Sequence, residues 1–492
     1  MSRRIAVVVA GVVGVGLVVL GAALVMGHDD EPAGSAATSS TTSSTMASTT
    51  TTELIGQPGA DGVGDPYFPL VGNGGYDVAH YTLALTWHPD TGSIDGVTTI
   101  EATATQDLSR FDLDLSGLEV ASVTVDGAPA AVQRADRELQ ITPPTTIASG
   151  RSFSTVVSYS GVPHPVSDGT DLFEVGWQRD GREAYVVSEP VGAATFFPVN
   201  DHPTDKATYT FKVTAPADQV VAANGLLTGS QDLGHGAREW TYEAHDPMAS
   251  YLVQIAIGDY ELVDDGTVGG VVIRHAFHRS SPATAARRSA ARTAEMIDVL
   301  DEVYGPFPFE AYGVLVVDEP LGFALETQTL TILGSDLGSL SRNTDLVLLH
   351  ELSHQWVGDA VSLVSWKDIW LNEGFATYSE WLWTERTGGQ SAAASARLAG
   401  RRSDLDAPPG DPGAAELFTR SVYLRGGMTL QALRETIGDV AFFEVLRTWV
   451  DEHRGGSAST ADFVALAERM SNQHLGDLFQ RWLYTPGLPA LG

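Results

Sequence analysis

The sequence predicts an α+β protein, with a β-sandwich-like domain over residues 58–260 followed by a mixed domain ending in helices over residues 261–492. Three observations predict it. A chain of 492 residues with 43% hydrophobic content can build more than one core. In its first half the apolar residues alternate with period two, so that Tyr81, Leu83, Leu85 and Trp87 share one face, as do Phe111, Leu113 and Leu115. Past Tyr260 the period changes to that of helices.

The head of the chain, residues 1–57, stands apart. MSRR precedes an unbroken apolar run from Ile5 to Met26, and Asp29, Asp30 and Glu31 follow it. At a rise of about 1.5 Å per residue such a run crosses a hydrocarbon core of about 30 Å, and Arg3 and Arg4 keep the N-terminus in the cytoplasm. An uncleaved membrane anchor with the rest of the chain outside is expected; secretion after cleavage of a signal is the alternative. From Gly34 to Thr52 nearly every residue is Ser, Thr or Ala, too little apolar area to offset chain entropy, so a disordered tether is expected.

In the β-rich part, Asp126-Gly127 marks a hairpin turn. Beyond it, the stretch from Pro282 to Gly305 predicts one helix, and YGVLVVD from Tyr312 predicts a strand. Gly388-Gly389 and Gly455-Gly456 are helix stops.

The balance of 29 basic against 62 acidic residues gives a net charge of −33, which repels phosphate backbones and so excludes nucleic acid as a partner. With no cysteine, thiolate zinc sites and iron–sulfur clusters are excluded too. Any metal must be held by histidines and carboxylates.

One stretch demands such a metal: HELSHQWVGDAVSLVSWKDIWLNEGFATYSE, beginning at His350. Asn343, Thr344 and Asp345 can cap a helix in which His350 and His354, four residues apart, share a face. Glu351 sits beside that pair, placed to act as a base toward water without being a ligand. A third ligand is available in Glu373, on the next helix, where Gly374 removes a side chain and lets two helices approach. The flanking residues are apolar, and burying two histidines and a glutamate among them is costly unless something pairs them.

At this point the chain resembles a known family, the aminopeptidase N-like (M1) zinc metallopeptidases. The matching residues are HELSH and WKDIWLNEGFA; upstream, FALET at Phe323–Thr327 is similar to the family's G-x-M-E-N motif, and downstream Tyr423-Leu424-Arg425-Gly426 is similar to its Y-x-K-G segment. GGYDVAHYTLAL and FFPVNDHPTDKATY resemble parts of its first domain. The resemblance implies a thermolysin-like catalytic domain holding one zinc ion through His350, His354 and Glu373. It implies Glu351 as catalytic base and Tyr423 as donor to the developing oxyanion. Glu326, and Glu189 in VVSEPVG where the family has Q-x-E, would bind the α-ammonium of a peptide. Glu380, two helical turns beyond Glu373, would support a metal-binding histidine. Because the chain stops soon after WLYTPGLPALG begins, it resembles short members without the C-terminal helical domain.

The expected function is therefore removal of N-terminal residues from peptides outside the cytoplasm. An endopeptidase or a non-peptide hydrolase on the same metal site, and a catalytically silent binding module, are the other readings.

Overall fold

A computed structural model describes residues 55–169, 173–340, 343–402 and 404–491. The expected anchor and tether lie outside these residues. Among the described residues no helix is long and apolar enough to cross a membrane. Residues Glu53–Gly492 form one compact unit.

The N-terminal half is built on an eight-stranded sheet. At its centre β1 (Tyr76–His88) pairs antiparallel with β2 (Ser93–Ala104), and β2 with a long strand at Ser152–Gly161. The predicted face of Tyr81, Leu83, Leu85 and Trp87 is buried throughout. A second sheet contains β3 (Leu108–Asp114) and β4 (Glu138–Thr142), paired antiparallel. Phe111 of β3 packs on Tyr76 and Phe153 of the larger sheet, with ring centroids 5.6 and 5.2 Å apart, so the two sheets share a core as a sandwich does. Asp126 and Gly127 both take positive φ, 50° and 76°, as their hairpin turn requires.

A third sheet of five strands includes β5 (Glu183–Val187), whose C-terminal end leads directly to Glu189. Beyond it lies a mixed sheet containing β7 (Val271–His278), β8 (Val314–Val316), β9 (Ala324–Leu325) and β10 (Thr331–Leu333). In that sheet β6 (Tyr260–Val268) and β9 are the two ends of the strand order. The expected strand from Tyr312 is interrupted at Gly313, where a Cβ would lie 1.5 Å from the Arg274 carbonyl oxygen. Only glycine lets β7 come that close.

The single helix expected from Pro282 to Gly305 is two, α1 (Thr284–Ala290) and α2 (Thr293–Tyr304). Arg292 marks the break; its guanidinium pairs with Glu295 and Asp345 and lies 4.8 Å over the Trp383 ring. The longer helices that follow are α3 (Thr344–His354), α4 (Trp370–Arg386), α5 (Ala392–Ala399), α6 (Arg420–Ile437), α7 (Asp439–His453) and α8 (Thr460–Ser471).

Two polar ties fix the β-rich half to the helices that carry the metal motif. Lys206 Nζ donates to the carbonyl oxygens of Asp359 and Ala360, at 2.6 and 3.0 Å, just past α3. The Asp65 carboxylate accepts from Ser365 Oγ and the Trp366 backbone N–H, at 2.8 and 2.9 Å, just before α4. The Asp65 tie is buried, where an unpaired group would cost about 1–3 kcal/mol, and the Lys206 tie is half-buried; together they set the register between the halves.

Candidate active site

α3 places His350 and His354 on one side, one helical turn apart, with ring centroids 5.0 Å apart. Asp345, expected as part of its cap, instead accepts from Ser289 and Arg292, tying the start of α3 to α1 and the α1–α2 break. α3 ends at His354, and His354 Nδ1 lies 3.1 Å from the Val357 carbonyl oxygen. That contact turns its other ring nitrogen inward.

Glu373 comes from the first turn of α4. Its Oε2 lies 3.1 Å from His350 Nε2 and 3.7 Å from His354 Nε2. Three ligands of a tetrahedral ion at about 2.0–2.2 Å stand about 3.3–3.6 Å from each other, so the spacing fits a zinc ion. Donor chemistry fits as well: two imidazoles and a carboxylate, all three buried or nearly so, in a chain without thiols. His350 Nδ1 lies 2.8 Å from Glu380 Oε1, the orienting contact that a metal-binding histidine needs. α4 can come this close to α6 because Gly374 and Gly426 face each other; a Cβ on either would lie 2.8 Å from the other's backbone.

α6 brings Tyr423 against the His350–His354 pair, its ring 5.9 Å from that of His350 and 22° from parallel. Glu326 follows the short strand β9. Gln355, immediately after α3, donates its Nε2 to the Glu326 carbonyl oxygen at 2.9 Å and accepts from the Thr329 backbone N–H at 2.8 Å, which bolts this strand to the helix. Glu189 arrives from the β-rich half.

All eight residues expected from the sequence line one cavity of about 420 Å³: Glu189, Glu326, His350, Glu351, His354, Glu373, Glu380 and Tyr423. Glu189 and Glu326 are 9% and 3% exposed, and each turns one buried carboxylate oxygen to no hydrogen-bond partner.

Negative charge crowds this site. Burial lifts the Glu351 carboxyl to about 8; His350 and His354 oppose the rise, while Glu326 and Glu373 add to it. Burial, then the Glu326 charge, push Glu189 well above the carboxylate range. Glu373 alone falls, to about 2, because His354 and His350 outweigh its burial. Burial works against a charge on His350, yet contacts with Glu373 and Glu380 hold its pKa well above the usual imidazole value. A site so rich in buried carboxylates accommodates positive charge, and among the described residues His350, His354 and Glu373 form the one of its three candidate metal-holding groups that offers two imidazoles.

Sequence reasoning did not foresee three features. Asp359, fully buried, has neither carboxylate oxygen hydrogen-bonded, and burial pushes its pKa well up. Gln355 was legible only as a polar residue following HELSH. A second cavity of about 110 Å³ adjoins Glu189 and Tyr423, walled by Phe173, Val175, Val187, Leu325 and Phe418. These walls converge from segments far apart in the chain, which no local pattern announces.

Comparison with known proteins agrees with this geometry. The Peptidase family M1 domain model matches residues 289–482, and the Peptidase M1 N-terminal domain model matches residues 78–252. Aminopeptidase N of Streptomyces lividans is 26% identical over 441 residues, covering 83% of this chain and 50% of that protein. Aminopeptidase M1 of Arabidopsis thaliana is 26% identical over 327 residues, covering 62% of this chain and 37% of that one. The chain thus spans half or less of the length of these curated relatives. The crystal structure of the M1 zinc metallopeptidase from Deinococcus radiodurans superposes with a TM-score of 0.81 at 34% identity, covering 87% of this chain and 98% of that one. Both halves of the chain match, and the motif residues converge as the family's chemistry requires: this chain belongs to the M1 family of zinc metallopeptidases.

Proposed function

We propose that the protein is a zinc aminopeptidase that removes residues one at a time from the free N-terminus of peptides. The observation that carries this reading is the pair of buried carboxylates, Glu189 and Glu326, each with an oxygen facing no partner, in the cavity that holds His350, His354 and Glu373. Unpaired buried carboxylates are costly, and a substrate α-ammonium satisfies both by charge-assisted hydrogen bonds. Relatives named aminopeptidases, and a structure of a glutamate-to-alanine mutant of the Deinococcus radiodurans protein bound to a Tyr-Ser-Ala substrate, support the same substrate class.

His350, His354 and Glu373 would hold zinc, with Glu380 fixing the His350 ring. The ion supplies Lewis acidity toward the scissile carbonyl and brings the pKa of water towards about 7. Glu351 takes a proton from the attacking water as its oxygen adds to the carbonyl carbon, then delivers that proton to the departing amine as the C–N bond breaks. The Tyr423 hydroxyl donates to the oxyanion that forms between these events. Glu189 and Glu326 hold the ammonium so that the first peptide bond is the one presented to Glu351.

The division at residues 57 and 260 into head, β-rich domain and catalytic domain belongs to the same proposal, as does action outside the cytoplasm. The apolar run from Ile5 to Met26 would retain the enzyme on the outer side of a membrane. Fractionation tests this: a mature N-terminus beyond Met26 with all activity soluble would make the protein secreted instead. The aminopeptidase reading is tested by digesting unmodified peptides and weighing the products over time. Stepwise loss of N-terminal residues is expected, and early internal cuts would replace the reading with an endopeptidase.

A further inference from the structure

A second groove in this part of the molecule is lined by none of His350, His354, Glu373, Glu189 and Glu326. A cavity of about 670 Å³ adjoins the catalytic one, and Leu346 and Glu380 line both. Its apolar side includes Trp381 of α4, Leu398 of α5 and Leu424 of α6; Leu398 is 54% exposed, unusual for a leucine with a neighbouring groove to fill. Arg401 and Arg402 also line it, just beyond the end of α5. On a chain of net charge −33, two adjacent guanidinium groups at one end of an acidic cleft stand out. Arg402 has a long contact to Asp404, 3.3 Å, while Arg401 has no carboxylate partner among the described residues. Both arginines are exposed and so free to reorient.

Resting on the aminopeptidase reading, we propose that this groove receives the substrate beyond the cut and that Arg401, with Arg402, binds a carboxylate on it. The shared cavity wall gives the direction. Glu189 and Glu326 anchor the amine end on one side of the metal ligands, and the groove opens on the side of Glu380. Along α4, Glu380 and Thr384 lie about 10 and 16 Å from Glu373 at a rise of about 1.5 Å per residue. An extended peptide advances about 3.3–3.6 Å per residue, so the carboxylate falls roughly three to five residues past the scissile bond. Two sources supply that chemistry: the C-terminal carboxylate of a short peptide, or an Asp or Glu side chain at that distance in a longer one. Leucines on the groove wall take the intervening apolar side chains, and the arginines set the register at the far end.

The test is kcat/KM for one peptide series from three to eight residues, each member as free acid and as C-terminal amide, with further amides carrying Asp at successive downstream positions. The readout is the acid-to-amide ratio in the wild-type protein and in the Arg401→Ala/Arg402→Ala double variant. Wild type is expected to prefer the free acid by about three- to tenfold at four to six residues and to lose the preference at eight. An Asp placed at the same distance in an amide should restore the faster rate, and its effect identifies a side-chain carboxylate as a source. In the double variant the ratio falls to near one. A ratio near one in wild type at every length, with no effect of downstream Asp, overturns the proposal; so does a preference that survives in the double variant. Wild-type turnover of a single-residue aminoacyl reporter, which carries no downstream carboxylate, separately reports whether the aminopeptidase reading stands.

Discussion

Glu351 and Glu373 are both buried glutamates beside the same two histidines, and their surroundings separate them. Glu373 Oε2 sits within 3.7 Å of both imidazole Nε2 atoms and keeps its charge, while Glu351 is lifted to about 8 by burial. On the proposed reading one is a ligand and the other a proton carrier. Glu351→Gln should therefore lower turnover by roughly 10²–10⁴-fold while metal analysis still finds one zinc per chain. Loss of zinc from the variant would make Glu351 a ligand and reverse the assignment. His350 and His354 were legible because helical spacing states which residues share a face, and Glu373 because the next helix offers a carboxylate beside Gly374, where two helices can approach. Glu189, Glu326 and Tyr423 were legible only through the family's motifs, since nothing local distinguishes a glutamate that binds an ammonium from one in solvent. The walls at Phe173, Val187 and Phe418 were not legible at all, because only the tertiary fold assembles them.

Between elements, the α4–α6 crossing decides whether the site assembles. Gly374 was expected to permit a close approach, and its partner proves to be Gly426, with each backbone 2.8 Å from where the other's Cβ would stand. Gly426→Ala must push the helices apart, separating Tyr423 on one from Glu373 on the other. A loss of about 1–3 kcal/mol of stability, together with weaker zinc retention, is expected from thermal unfolding and metal titration. An unchanged melting temperature and zinc affinity would show that the crossing tolerates a methyl group. The α1–α2 break was invisible to periodicity because its cause, the engagement of Arg292 by Asp345 and Trp383, is tertiary.

The β3–β4 pair supplies a pH-dependent counterpart. Glu138 stands directly opposite Asp114, and burial, with Asp114 adding and Arg137 opposing, lifts its carboxyl to about 8. An acid whose folded pKa exceeds its unfolded value of about 4.3 stabilises the fold in its protonated form, and that stability is lost as pH rises from about 4 to 8. Glu138→Gln, which has no proton to lose, should lower the decline in melting temperature between pH 6 and pH 9 by about 1–3 °C. Equal declines in the two proteins would mean that Glu138 is charged throughout.

Across the whole molecule, a β-rich half before a helical one was readable from the change of period, although strands β6 and β7 run on from Tyr260 to His278 and the helices begin only at Thr284. That both halves line one cleft was readable only through the resemblance that put Glu189 at the site. Glu189 reaches it from the β-rich half, and the Lys206 and Asp65 ties hold that half in register with α3 and α4. An amine anchor on one half and a metal cluster on the other make the first peptide bond the one that fits, and this is the central claim. Its most direct measurement compares kcat/KM for a peptide with a free N-terminus and its acetylated form, on wild-type protein and on Glu326→Ala, with zinc content determined in both. Acetylation should lower wild-type cleavage by roughly ten- to a hundredfold, Glu326→Ala should lower cleavage of the free peptide by a similar factor with zinc unchanged, and the two losses should not multiply, since each removes the same contact. Equal cleavage of free and acetylated peptides by the wild-type protein would contradict the account.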